Sequence, residues 1–108
     1  MDERDRTILQ KILKDIDFLI SDTKGITLEK FLSDERLMRS TAMTILKIGE
    51  LANHLTMDFK KSTKLPIKEM VAMRNYAAHE YDALRFDTVW KTVQKSLPDL
   101  KIQIEKEL

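Results

Sequence analysis

The sequence predicts an all-α protein of four to five helices, and three observations lead there. Apolar residues recur at three- and four-residue intervals over long stretches, the period of one helix face. Two glycines and two prolines in 108 residues are too few for the frequent turns of a β protein. Charged residues make up 34% and hydrophobic residues 43%, the balance expected of helices that bury one stripe and solvate the other.

The first helix is expected over residues 3–21, where Ile8, Leu9, Ile12, Leu13, Ile16, Leu19 and Ile20 form one stripe before Lys24-Gly25 ends it. A short helical turn follows over residues 28–32. Ser33 then offers an N-cap oxygen, and Asp34 and Glu35 suit the positive end of a second long helix reaching about residue 55. Leu37, Thr41, Ile45, Ile48, Ala52 and Leu55 should face its core. Gly49 sits in that helix's interior at a cost of about 1 kcal/mol relative to alanine, which marks either close approach of another helix or a tolerated imperfection.

Residues 56–64 lose the apolar period and form a loop or a short helix around Met57 and Phe59. Pro66 suits the first position of a third long helix through Ile67, Met70, Val71, Arg74 and Ala78, stopping near Tyr81 and Asp82. Asp87 is the expected N-cap of a fourth, through Val89, Trp90, Val93 and Leu97. Two readings fit Pro98: Ser96 caps a last helix, or the proline kinks a continuous one.

The length suits one domain over residues 1–108, able to bury about two thirds of its unfolded surface. Cysteine is absent, so no disulfide framework or cysteine metal site is expected, and a reducing cytoplasm is the natural compartment. The opening residues are charged throughout, and no apolar run approaches the roughly 18 residues of a membrane span, so neither secretion nor a membrane partner is expected. Nineteen basic against eighteen acidic residues give a net charge of +1, which argues against coating nucleic acid through a general positive field. The densest basic stretch, Lys60, Lys61, Lys64 and Lys68, reads first as a solvated loop and helix start and second as a phosphate-contacting patch.

The chemistry concentrates in Arg74-Asn75-Tyr76-Ala77-Ala78-His79-Glu80-Tyr81. At about 100° per residue, Asn75 and His79 lie one turn apart on one face, where an amide can orient an imidazole and choose its tautomer. Arg74 lies about 140° from His79 around the axis, too far for a tight pair but able to reach a shared cavity with its long side chain. Tyr76 is about 140° from Tyr81 and reads as a packing residue. Metal-free RNA cleavage needs a base for the ribose 2′-OH, an acid for the leaving oxygen, and positive charge on the phosphorane. Histidine and arginine supply these functions. One helix carries one such histidine, so a two-fold dimer would make a more complete site.

A plainer reading stands beside this one: Arg74 paired with Glu69 or Glu80, His79 a satisfied half-buried histidine, and both tyrosines at core edges. Zinc is disfavoured because His54 is the remaining histidine and no metal-ligand spacing supports it. Glu50 and His54, four apart, equally form an exposed helix pair.

The segment Arg74-x4-His79-x-Tyr81 resembles the R-x4-6-H motif of the HEPN superfamily and, with its tyrosine, the R-x4-H-x-Y signature of HepT-like toxins. Asn75 matches the polar residue that commonly follows the arginine. Ile45-Leu46-Lys47-Ile48-Gly49-Glu50 is similar to the family's Ile-Gly-Glu helix, Leu65-Pro66-Ile67 to its proline-led helix start, and Val89-Trp90 with Leu97-Pro98-Asp99-Leu100 to its C-terminal pattern. Ile67 stands where relatives often carry tryptophan, a difference of packing.

The resemblance implies an antiparallel HEPN-type helical bundle of four to five helices that dimerises, with motif helices facing each other across a shared cleft. It also implies an endoribonuclease toxin of a type VII toxin–antitoxin system, acting on tRNA or mRNA without a cofactor or metal. Arg74 and His79 would be catalytic and Asn75 supporting. Tyr81 would accept AMP from an MntA-type nucleotidyltransferase antitoxin, since a modified phenol two residues from the histidine can block the cleft and occupy the arginine. Glu50 matches a family position and is a secondary candidate, with helix packing or hydrogen bonding to Arg74 as its role. The competing expectation is a noncatalytic helical partner of a nucleotidyltransferase, using the motif as a nucleotide- or protein-binding surface, and the intact Arg74 and His79 pair disfavours it. No DNA partner is expected.

Overall fold

The computed structural model describes residues 1–79 and 85–108, with the backbone alone described over residues 75–79. Every regular element among the described residues is helical: α1 (Glu3–Asp22), α2 (Leu28–Leu32), α3 (Glu35–Asn53), α4 (Met57–Ser62), α5 (Ile67–His79), α6 (Phe86–Lys91), a π turn (Thr92–Ser96) and α7 (Leu97–Glu107). The two extra short helices lie where the sequence offered a helical turn and a loop or short helix.

Polar caps set most of the boundaries. Asp2 accepts the Asp5 N–H at the start of α1, and at its end the N–H and hydroxyl of Thr23 both donate to the Leu19 carbonyl. Gly25 then turns the chain with φ +75°, a left-handed conformation open to glycine at little cost. The start of α3 differs from expectation. Asp34, not Ser33, is its N-cap and accepts the Leu37 N–H at 3.0 Å, while Ser33 ends α2 by donating its hydroxyl to the Lys30 carbonyl. A carboxylate there also favours the positive helix end, which a hydroxyl does less well.

Asp87 likewise is not an N-cap. Arg85 holds that position without a side-chain cap, and Asp87 lies in the first turn of α6, accepting the Thr88 N–H at 2.9 Å. That backbone bond holds the Asp87 carboxyl below the usual carboxylate range, and Arg85 beside it adds to the effect.

Of the two readings of Pro98, continuity is what forms. The Leu97 N–H reaches back five residues to the Thr92 carbonyl, so a π turn joins α6 to α7 just before the proline. The wide turn accommodates a residue that lacks an N–H and would press on the preceding turn. It also keeps Val89, Val93, Leu97, Leu100 and Ile104 together in the core.

Leu9, Ile12, Ile16 and Leu19 of α1 are fully buried with Phe31, Ile48, Leu97 and Ile104, each such side chain contributing about 1.5–3 kcal/mol of transfer free energy. Phe31 anchors α2 beneath Trp90, with ring centroids 5.0 Å apart. Two carboxylates interrupt the buried stripe of α1. Asp5, 2% exposed, accepts the N–H of Thr56 at 2.8 Å and its hydroxyl at 2.7 Å, while Asp15 faces Lys47 at 3.3 Å. Asp5 meets Thr56 just beyond the end of α3 and Asp15 meets Lys47 within it, so α1 and α3 are antiparallel. Among the described residues no helix is long and apolar enough to cross a membrane.

Two helices approach closely at Gly49, where α3 meets α5. A Cβ at this position would lie 2.7 Å from the Met70 carbonyl oxygen and 3.0 Å from the Arg74 amide nitrogen. Backbone atoms cannot swing aside, so of the two readings of Gly49 close approach is the one realised. Gly49→Ala should therefore destabilise the fold by about 1–3 kcal/mol, despite alanine's better helix propensity. Urea unfolding monitored by circular dichroism checks this; an unchanged or raised midpoint would show that the contact yields freely.

Candidate functional site

The site is built outward from that helix contact. Ile67, Met70 and Arg74 recur at intervals of three and four along α5, and the first two are buried, at 9% and 1% exposure. Because Gly49 has no side chain, the backbone of α5 at Met70 and Arg74 comes down onto α3. The next residue of α3, Glu50, then lies beside the Arg74 side chain.

Arg74 donates from Nη1 to Glu50 Oε2 at 3.3 Å. The second carboxylate oxygen, Oε1, lies 3.5 Å from His54 Nε2, one turn further along α3. Glu50 thus sits between an arginine from α5 and the histidine that caps the end of its own helix. Arg74 is the most enclosed of the three, its side chain 24% exposed against 48% for Glu50 and 59% for His54.

Cations also collect at the neighbouring C-terminal end of α3. Arg4 donates to the His54 carbonyl at 3.4 Å, and Lys60 donates to the Asn53 carbonyl at 2.7 Å. The final carbonyls of a helix lack intrahelical partners and carry partial negative charge, so both contacts follow from elementary helix electrostatics. Among the described residues no group of three or more His, Cys, Asp and Glu side chains is placed to hold a metal ion.

The expected site residues divide into three groups. Arg74 and Glu50 are brought together, as the hydrogen-bonding alternative for Glu50 anticipated, and His54 joins them as the exposed helix pair. The backbone of α5 runs helically through Asn75 and His79, which the one-turn spacing between them requires. Tyr81 and Glu80, and with them the expected end of this helix, lie outside the described residues. Sequence reasoning left His54 as a bystander. The four-residue spacing to Glu50 was the available signal, but only the fold puts Arg74 on the same carboxylate.

Chemically, a guanidinium is a planar fork matched to oxyanions, and an adjoining carboxylate restricts its orientation. The helix carrying it also carries a histidine, the side chain suited to proton transfer near neutral pH. These two residue types are chemically suited to phosphodiester substrates.

Comparison with known proteins places the chain in a family. A family described as "Ribonuclease HepT-like" matches residues 10–107. A protein named "Putative RNase" from Caldanaerobacter subterraneus subsp. tengcongensis is 36% identical over 104 residues, covering 95% of this chain and 93% of the relative. Another of that description, from Methanocaldococcus jannaschii, is 30% identical over 108 residues, covering 98% and 89% respectively. A "Probable ribonuclease HepT" from Thermococcus cleftensis is 31% identical over 99 residues, covering 91% and 90%. No solved structure matches the chain significantly. With the match running through all the helices described above, the chain belongs to the HepT-like ribonuclease family of the HEPN superfamily.

Proposed function

We propose that this protein is a metal-independent endoribonuclease and the toxin of a type VII toxin–antitoxin system, with cellular RNA as its substrate. The observation that carries the reading is Arg74 held against Glu50 on the helix that continues to His79, in a chain of the HepT-like family. His79 takes the proton of a ribose 2′-OH, and the freed oxygen attacks the adjacent phosphorus. Arg74 stabilises the charge that develops on the nonbridging oxygens. As the P–O5′ bond breaks, a proton passes to the leaving oxygen, giving a 2′,3′-cyclic phosphate on one fragment and a 5′-hydroxyl on the other. Asn75 orients the imidazole.

Acid and base are both needed in one turnover, and each copy supplies one motif histidine. A homodimer with motif helices facing each other places two in one cleft. Tyr81 is the regulatory position, where AMP transferred by an MntA-type nucleotidyltransferase adds a phosphate and a nucleoside beside the catalytic pair. The phosphodiester so formed competes with RNA for Arg74.

Glu50 is a positioning residue in this scheme. Its pair with Arg74 is too exposed to contribute more than about 1 kcal/mol to folding, so its value lies in where it holds the guanidinium. Glu50→Gln should leave the unfolding midpoint nearly unchanged while lowering kcat about tenfold or more. Equal kcat in the two proteins on a short RNA would remove Glu50 from the mechanism.

The function is tested by expressing wild type, Arg74→Ala, His79→Ala and Tyr81→Phe in bacteria at matched levels, with and without the nucleotidyltransferase. Wild type is expected to stop growth and fragment RNA. Purified His79→Ala and Arg74→Ala should each lose roughly 100-fold or more in cleavage rate. Intact mass should show partner-dependent AMP on wild type and none on Tyr81→Phe. Soluble wild type that neither slows growth nor cleaves RNA would overturn the nuclease, and sedimentation as a monomer at micromolar concentration would remove the two-histidine cleft.

A further inference from the structure

The lysine stretch is divided by the fold. Lys60 and Lys61 end α4, Lys64 lies in the connection, and Lys68 stands in the first turns of α5. Lys60 and Lys68 then flank a groove of about 520 Å³ whose remaining lining is Ile67, Val71 and Ala72. Two lysines border an apolar floor, and no carboxylate is among the described lining residues. Two other grooves among the described residues have the opposite character: one between α5 and the last helix includes Glu69 and Asp99, and one beside the chain start includes Asp2, Asp5 and Asp58.

The groove also has a fixed relation to the motif. Lys68, Ala72, Asn75 and His79 follow one another at intervals of four, three and four, so their backbone positions fall within an arc of about 60° on α5. Arg74 occupies another side of the helix, against Glu50. From Lys68 to His79 the axial rise is about 16 Å. Lys60 is already held by its bond to the Asn53 carbonyl, so little side-chain freedom is lost when an anion arrives beside it.

We infer that the groove bounded by Lys60 and Lys68 is a binding subsite for the RNA backbone, holding phosphates a few nucleotides from the scissile bond on a line along α5 toward His79. The inference rests on the nuclease reading and adds a place where the substrate is gripped. A chain with net charge +1 has no general field to retain RNA, so retention falls to local cations without competing carboxylates.

The test uses the full chain with His79→Ala, so that RNA is bound and not consumed, and a fluorescent single-stranded RNA titrated at several salt concentrations. Lys60→Ala with Lys68→Ala should weaken binding and reduce the slope of log affinity against log salt by about 0.7 per lysine. Ala72→Glu, which places a carboxylate on the groove floor without a large helix penalty, should weaken binding further. Lys11→Ala with Lys14→Ala on α1 is the control and should leave the slope unchanged. An unaltered slope in the groove variants, or RNA binding absent in the His79→Ala parent at low salt, overturns the subsite. Cleavage of the same RNA by wild type separates that failure from failure of the nuclease reading.

Discussion

The contact between Gly49 and the backbone of Met70 and Arg74 is the constraint on which the site depends. A side chain on α3 at this point would hold α5 away, and Arg74 would no longer lie beside Glu50. A helix-breaking residue in the middle of a long helix therefore has a positional purpose. The loss of helix propensity is about 1 kcal/mol, while the gain is a backbone-to-backbone seat whose geometry cannot relax by side-chain rotation. The rest of the bundle supports this seat. Asp5 joins α1 to the Thr56 cap of α4, Asp15 joins it to α3 through Lys47, and Phe31 with Trp90 ties α2 to the C-terminal helices.

Charge is distributed with similar economy. The whole chain is nearly neutral, yet cations gather in three places around α3 and α5: Arg74 on Glu50, Arg4 and Lys60 at the carbonyl end of α3, and Lys60 with Lys68 about an acid-free groove. A nearly neutral protein does not attract polyanions over long distances, so any grip on RNA comes from such local arrangements. In the proposed reaction the same argument applies to Arg74. Its charge matters because a partner carboxylate sets its direction, and a swinging surface arginine would supply less.

Much of this fold was legible in the sequence because helices announce themselves through periodicity. The apolar stripe of α1 and the proline-led start of α5 were placed to within a residue or two. Caps were harder. Ser33 and Asp34 are adjacent cap-competent residues, and choosing between them depends on where α2 ends, which local sequence does not state. Asp5 and Asp15 were missed because carboxylates on a buried stripe look like solvent-facing residues until Thr56 and Lys47 arrive from a distant part of the chain. Within the site, the motif was legible as chemistry, but the link from Arg74 to Glu50 spans 24 residues and exists only through the helix contact. Gly49, read as a possible close approach, and the family match at Glu50, with hydrogen bonding to Arg74 among its roles, were the visible traces of that link.

The central claim is that this helical pair cleaves RNA by attack of the substrate's own 2′-oxygen, without a metal ion. It is tested most directly with purified wild-type protein, excess chelator, and two short RNAs that differ by a single 2′-deoxynucleotide at the mapped cleavage position. The account predicts cleavage of the all-ribose strand in chelator, ends carrying a 2′,3′-cyclic phosphate and a 5′-hydroxyl, and no cleavage at the deoxy position. Cleavage at the deoxy position, or activity that chelator abolishes and a divalent cation restores, would contradict it.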